Sequence, residues 1–156
     1  MDEEKQLADA KMRVMRMLGK RALSSKEIEK RLLAKGDSQQ TAKQVVEWLE
    51  ATGMIDDTEY AHAIVRHYQA KGYGIARIKE ELYSRGLESD VRNEAIEELD
   101  TTKTQDAIQR FLEKKLKGSK DKADLRSAEQ ALCRRGYNYG QARSAINTYL
   151  ETCEDE

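Results

Sequence analysis

The sequence predicts an all-α protein built from three tandem three-helix repeat units in an elongated, curved array. Three observations predict this class. The 156 residues include no proline, so no residue in the composition is a strong helix breaker. Apolar residues recur at helical rather than alternating spacing along the chain. A short motif ending in glycine returns twice at an offset of 50 residues.

The repeated motif sets the domain organisation. Its copies are Lys30–Gly36, Glu80–Gly86 and Gln130–Gly136. Each copy carries a leucine, a cation and a final glycine in the same register, in the columns Leu32/Leu82/Leu132, Lys35/Arg85/Arg135 and Gly36/Gly86/Gly136. We therefore predict units over 1–53, 54–100 and 101–156. Units this small bury little core alone, so neighbouring units must share apolar surface.

The first unit predicts three helices. Val14, Met17 and Leu18 mark an apolar stripe on the first helix. Either Ser24 or Ser25 can cap the second helix, which ends at Gly36, because glycine adopts the left-handed conformation without steric cost. The third helix starts after Ser38 and ends near Gly53.

The other two units repeat this pattern. Their helices are predicted to begin near Asp57, Ile75, Ser89, Thr102, Ala123 and Tyr139. Asp56 and Asp57 are expected to cap the first of these helices. The polar stretch 117–122 predicts a loop, and the acidic tail 151–156 is expected to fray.

The sequence offers little for catalysis. His62 and His67 are five residues apart, which separates them by about 140° around a helix, so they cannot share a metal ion. Cys133 is expected at the edge of a core face, and Cys153 lies in the tail. Gly72-Tyr73-Gly74 lacks the third glycine and the preceding strand of a phosphate-binding loop. We expect no enzymatic activity, no cofactor and no metal.

Charge is distributed unevenly along the chain. The formal net charge is -1, but 1–50 and 101–156 each carry +2 while 51–100 carries -5. Arg13, Arg16 and Lys20 are expected on one helix face. A second run of cations extends from Arg110 to Arg126. The two cationic runs predict either solvated helix surfaces or contacts with an anionic partner. The pI of about 6.2 argues against strong sequence-specific DNA binding.

Two strings between the first and second units are the most distinctive. One runs from Gly53 to Ala61 and the other from Lys71 to Ile78. The second predicts a tight turn between helices, with Tyr73 at the surface or wedged between helices and cations on both sides. It is either a plain connection, with Arg77 pairing Glu80 or Glu81, or an aromatic–cation anchor for a partner.

With these two strings and a cation–glycine pair after the second helix of each unit, the chain resembles the RecX regulatory proteins of bacteria from about Lys11 to Leu150. The resemblance implies a non-enzymatic modulator, usually an inhibitor, of the RecA recombinase. Such a regulator is expected to lie along the groove of the RecA–single-stranded DNA filament and to act in DNA repair, recombination and the SOS response. The chain departs from the family at Ile75, where proline is common, and in its near-neutral charge.

From these patterns and the resemblance we expect a cytoplasmic monomer. It should bind the RecA filament, contact single-stranded DNA only weakly by itself, and avoid membranes, because no apolar run approaches the length of a membrane span. The predicted partner-binding residues are Lys71, Tyr73, Arg77, Arg13, Arg16, Lys20, Lys30, Arg31, Lys114, Lys115 and Arg126. One alternative is a helical-repeat protein that occludes DNA directly, since three-helix units resemble helix-turn-helix modules. A scaffold for a different protein partner is another.

Overall fold

A computed structural model describes residues 2–154 of the chain, and over that range the fold is entirely α-helical. The predicted fold class, an all-α helical repeat, is confirmed. The nine helices of this range are α1 Glu3–Leu18, α2 Ser25–Ala34, α3 Gln39–Ala51, α4 Asp57–Ala70, α5 Ile75–Ser84, α6 Ser89–Glu97, α7 Thr101–Leu116, α8 Lys122–Arg134 and α9 Tyr139–Glu154.

The chain divides into two compact units. Unit 1 runs to Ala61 and takes in Leu82–Asn93, and unit 2 is His62–Glu81 together with the chain from Glu94 onward. Helices α4, α5 and α6 therefore contribute residues to both units. The repeat boundaries at 53 and 100 describe the sequence pattern and stay a prediction.

Unit 1 is built around the mutual packing of α1, α2 and α3. Each of these helices turns a stripe of apolar side chains inward, and the stripes meet in one cluster. Its fully buried members are Ala10, Val14, Ile28, Leu32, Ala42, Val45 and Leu49. Ser24 caps α2 with a capping box, in which its hydroxyl accepts from the Glu27 amide while the Glu27 carboxylate accepts from the Ser24 amide. The capping box and the apolar pattern therefore indicate the same first residue for α2.

In unit 2 the helices α7, α8 and α9 pack on one another in the same way. Leu112, Leu132 and Ala142 lie at the centre of their apolar cluster. The hydroxyl of Tyr149 donates to the carbonyl of Ser119 (3.2 Å), which ties the loop before α8 to α9. Burial raises the pKa of the Tyr149 phenol above its ordinary value.

Three expectations are corrected. Lys20 does not share a helix face with Arg13 and Arg16, because α1 ends at Leu18 and Gly19 caps it by donating to Met15. Cys133 is exposed on α8 rather than placed at a core edge. The chain does not fray at 151, since α9 continues to Glu154 and Cys153 packs against the unit 2 core. The remaining acidic residues, 155 and 156, lie outside the described range.

The predicted capping of α4 is confirmed for Asp56 and is wrong for Asp57, which is the first residue of α4 and bonds to α2 instead. Asp56 accepts from the Glu59 amide at the start of α4 (3.1 Å). The Asp57 carboxylate accepts from both the amide and the hydroxyl of Ser25, at 2.9 and 2.6 Å. In unit 1, Asp57 thus joins the first turn of α4 to the first turn of α2.

Candidate partner-binding surface

The turn between α4 and α5 holds the predicted Lys71, Tyr73 and Arg77 close together. Helix α4 ends when Gly72 takes a φ of +87°. The Gly72 amide donates to Gln69 and the Tyr73 amide donates to Tyr68, both at 3.0 Å. These two bonds form a Schellman motif, in which a residue of positive φ lets the chain leave the helix while the last carbonyls stay bonded. The motif places Tyr73 immediately outside α4.

A second turn supports this one from within unit 2. The amide of Gly74 donates to Arg135 (2.8 Å) and that of Ala76 donates to Gly136 (3.2 Å). In the opposite direction, the hydroxyl of Tyr137 donates to the Gly72 carbonyl (2.7 Å). The backbone polar groups of the turn are satisfied on its supported side, which leaves its side chains as the part available to a partner.

Tyr73 is half-buried and lies between two guanidinium groups. Those of Arg77 and Arg135 are each 5.6 Å from the centre of its ring, within the range of cation–π attraction. The ring of Tyr68 packs against it at 5.5 Å. Arg77 also forms an ion pair with Glu80 at 3.7 Å, as expected if the turn is a plain connection between helices. This ion pair and the contact with Tyr73 occur together, so neither interpretation excludes the other.

Sequence reasoning missed Arg135. It donates to the carbonyl of Lys71 (3.1 Å) and places its guanidinium 4.4 Å from the ring centre of Phe111 as well as over Tyr73. The signal was present, because Arg135 belongs to the same column as Lys35 and Arg85. That column marks the repeat in all three units, and its third member also contributes to this surface.

The predicted cations of the first unit differ in availability. Arg13 is half-buried and forms two contacts of 2.8 Å with the Asp37 carboxylate. This hydrogen bond raises the pKa of the Arg13 guanidinium above its ordinary value, against the opposing effect of burial. Arg13 therefore already has a partner inside unit 1. The other four cations of this set are exposed, namely Arg16, Lys20, Lys30 and Arg31.

In unit 2 the predicted cations Lys114, Lys115 and Arg126 are also exposed. Two of them occupy the last turn of α7, where cations stabilise the helix by interacting with its dipole. Sequence reasoning missed a second cationic feature here. Arg66 and Lys103 line a cleft of about 290 Å³ with Arg110 and Asp106, on α4 and α7.

The histidines do not form a metal site. Within unit 2 the Nδ1 of His62 lies 2.9 Å from a Glu98 oxygen, and its Nε2 lies 3.8 Å from a Glu94 oxygen. The two carboxylates face different ring nitrogens, so they do not converge on one point. Among residues 2–154 no group of three or more His, Cys, Asp or Glu is arranged to hold a metal ion. Over the same residues, every helix is too short or too polar to cross a bilayer.

Comparison with known proteins decides the family. A sequence model of the first three-helix domain of RecX matches residues 10–49, and one of the second matches 56–96. The regulatory protein RecX of Xanthomonas campestris pv. campestris (strain B100) is 34% identical over 143 residues, covering 89% of this chain and 86% of the relative. This chain belongs to the RecX family. A RecX relative from Stenotrophomonas maltophilia (strain R551-3) is 29% identical over 136 residues, 85% of this chain and 82% of that one.

Solved structures share the fold. The crystal structure of RecX from Lactobacillus salivarius superposes with a TM-score of 0.82 at 16% identity, over 98% of this chain and 99% of that one. A second crystal structure, of a regulatory protein RecX, has a TM-score of 0.74 at 18% identity, over 100% of this chain and 79% of that one.

The RecX domain matches separate the predicted surface residues into three groups. Lys71, Tyr73 and Arg77 lie inside the second-domain match. The predicted cations from Arg13 to Arg31 lie inside the first-domain match. Lys114, Lys115 and Arg126 lie beyond both matches, in the part of the chain related to RecX through its full-length relatives.

Proposed function

We propose that this RecX protein regulates the RecA recombinase by binding the RecA–single-stranded DNA filament. Binding inhibits the recombinase, ATPase and co-protease activities of RecA and thereby modulates DNA repair, recombination and the SOS response. The protein acts in the cytoplasm as a monomer, by contact and not by catalysis. The observation that carries the proposal is membership of the RecX family of regulatory proteins. The alignment with the Xanthomonas campestris relative covers 89% of this chain.

The surface of the α4–α5 turn supports binding by contact. Tyr73 with two guanidinium groups on its ring has the composition of an interface anchor, since tyrosine and arginine dominate binding energy at protein surfaces. The turn is held in place before any partner arrives by the bonds from Gly74 and Ala76 to the turn before α9. A preorganised anchor loses little conformational entropy on binding.

The exposed cations support a partner that carries negative charge. Arg16, Lys30 and Arg31 in unit 1 and Lys114, Lys115 and Arg126 in unit 2 are exposed. A nucleoprotein filament presents phosphates and acidic side chains together, so these contacts release counterions and weaken as salt rises. The net charge of -1 keeps the affinity for naked DNA low.

A second candidate function is direct occlusion of DNA by a helical-repeat protein. The cleft with Arg66, Lys103 and Arg110 favours it, because three cations around 290 Å³ suit a phosphate backbone. On this alternative the chain binds naked single-stranded DNA as well as it binds a filament.

Fluorescence anisotropy separates the two functions. Labelled single-stranded DNA, naked or coated with RecA, is titrated with the protein at physiological salt. We expect binding to the coated DNA, little binding to the naked DNA, and a fall in affinity as salt is raised. The same preparation should lower RecA's DNA-dependent ATPase and strand exchange at substoichiometric amounts. Equal binding to both DNAs supports occlusion. If the folded protein in large molar excess leaves both activities unchanged, the RecA assignment is wrong.

A further inference from the structure

Unit 2 contains an uncharged groove, one edge of which is formed by the Lys71–Ile78 string. It has a volume of about 720 Å³ and lies among the start of α5, helix α7 and helix α9. All seventeen residues that line it are in the described part of the chain, and none is charged. Charged residues make up 37% of the sequence, so a neutral surface of this size is a marked local departure.

The lining of the groove combines apolar side chains with amide and hydroxyl groups. Ile78 and Ile108 are buried, and Ile75 is 38% exposed. Gln109 donates its side-chain amide to the Ala145 carbonyl (3.1 Å), which links α7 to α9 across this region. Gln105 also lines the groove and is exposed. Apolar pockets with a few neutral polar groups are typical ligand sites, and apolar grooves are also used to bind segments of partner proteins.

Helix α7 separates two chemically distinct surfaces of unit 2. Thr104, Gln105 and Ile108 contribute to the neutral groove. Lys103 and Arg110 contribute to the cationic cleft. A phosphodiester backbone is attracted to the cationic surface and gains nothing from the neutral one, because burying an unpaired phosphate in the groove is costly. The uncharged lining of the groove therefore offers a nucleic-acid backbone nothing to pair with.

Tyr73 also lines the groove, and it carries the guanidinium groups of Arg77 and Arg135 on its ring. At that end the groove complements a carboxylate, while its length complements apolar side chains. We infer that the groove binds a segment of the partner protein, with apolar residues seated on Ile75, Ile78 and Ile108 and an acidic residue at the Tyr73 end. This inference rests on the proposed function, with RecA protein, not its DNA, as the occupant.

Charge substitution at Gln105 tests the inference. Glutamate is isosteric with glutamine, and Gln105→Lys adds the opposite charge. Because a partner segment would bury either charge without a counter-ion, both variants should weaken binding to RecA-coated DNA by about tenfold. Gln130→Glu and Gln130→Lys are the matched controls, since Gln130 is exposed on α8 and does not line the groove. These controls should bind like the parent.

The outcomes distinguish failure of the groove inference from failure of the proposed function. Tighter binding of Gln105→Lys with weaker binding of Gln105→Glu would mean that an anionic group, not an apolar segment, lies beside Gln105, and the inference would be overturned. Parent-like binding by both variants would overturn the groove and leave RecA regulation standing. If the parent itself fails to bind coated DNA, both proposals fall.

A second measurement does not depend on charge. Ser144 lines the groove on α9 and is exposed, so a photo-crosslinking benzoylphenylalanine placed there reports the neighbour directly. With RecA-coated, labelled DNA we expect a crosslink to RecA protein. A crosslink to DNA alone, or none from a variant that still inhibits RecA, would contradict the inference. Circular dichroism of each variant confirms that it is folded.

Discussion

In each unit, the turn that follows the second helix of one repeat packs against the start of the second helix of a different repeat. The two contacts are formed by different chemical groups. In unit 1 the turn after α5 meets the start of α2, where the Ser24 hydroxyl donates to the Arg85 carbonyl. In unit 2 the turn after α8 meets the start of α5, where the Gly74 amide donates to the Arg135 carbonyl. We call these contacts junction A and junction B.

The two junctions occupy the same columns of the 50-residue repeat. Ser24 and Gly74 correspond, as do Arg85 and Arg135. At junction A a side chain spans the gap, whereas at junction B the backbones themselves approach. A Cβ on Gly74 would lie 2.5 Å from the carbonyl carbon and oxygen of Gly136. One repeat position thus serves as a polar spacer in one unit and as a point of backbone contact in the other.

The largest expected effect on the free energy of unfolding comes from adding a Cβ at Gly136, where the backbones of junction B are in contact. Gly136 has a φ of +102°, and a Cβ there would lie 2.5 Å from the Arg77 amide nitrogen. Gly36 has nearly the same φ, +97°, with nothing within 4 Å. We expect Gly136→Ala to lower the free energy of unfolding by about 3 kcal/mol or more, and Gly36→Ala by only about 1–2 kcal/mol. Urea denaturation measures both, and equal losses would mean that junction B has room to relax.

The next largest effect on stability is expected when Gly74 is replaced by serine and Ser24 by glycine in separate variants. Gly74→Ser should cost about 2–3 kcal/mol, because the new Cβ collides with the Gly136 backbone. Ser24→Gly should cost about 1–1.5 kcal/mol, since glycine is tolerated at the N-cap and only the hydroxyl's bonds are lost. A reversed order in urea denaturation would contradict the distinction between the junctions.

The smallest expected effect is at Tyr137, which donates to Gly72 at junction B. Tyr137→Phe should cost about 1 kcal/mol at neutral pH through the lost hydrogen bond. Burial raises the pKa of the phenol to about 12. Between pH 10 and 12 the unfolded phenol ionises while the folded one stays protonated, so the parent loses stability as pH rises. Thermal melts across this range should bring parent and variant closer together, and a constant difference would exclude the linkage.

Much of the fold could be predicted because its signals are local. Serine caps, glycine ends and 3.6-residue apolar stripes act within a few residues, and Ser24, Ser38 and Gly72 act as such signals in the structure. The end of α1 at Leu18 is also set locally, by the cap at Gly19, and this signal was missed in the sequence. The exposure of Cys133 differs, because it depends on which apolar positions the tertiary packing uses.

The candidate site was predicted only where one string contained it. Lys71, Tyr73 and Arg77 lie within seven residues of one another, so their proximity follows from the chain itself. Arg135 and the lining of the groove come from helices far apart in sequence. Arg135 lies 64 positions from Lys71, and only the packing of unit 2 brings it to the same turn. Such juxtapositions require the three-dimensional structure.

The central claim is that the α4–α5 turn is a binding surface as well as a structural junction. The double variant Tyr73→Ala with Arg77→Ala tests it against a matched pair, Tyr83→Ala with Arg92→Ala. Tyr83 is 72% exposed, and the Arg92 guanidinium lies 5.3 Å from its ring centre. Inhibition of RecA's DNA-dependent ATPase is measured at a temperature where circular dichroism reports all variants folded. We predict that the Tyr73/Arg77 variant inhibits at least about tenfold less well, as expected for an interface anchor, while the Tyr83/Arg92 variant inhibits like the parent. Undiminished inhibition by the Tyr73/Arg77 variant would contradict the claim and leave the turn with a structural role alone.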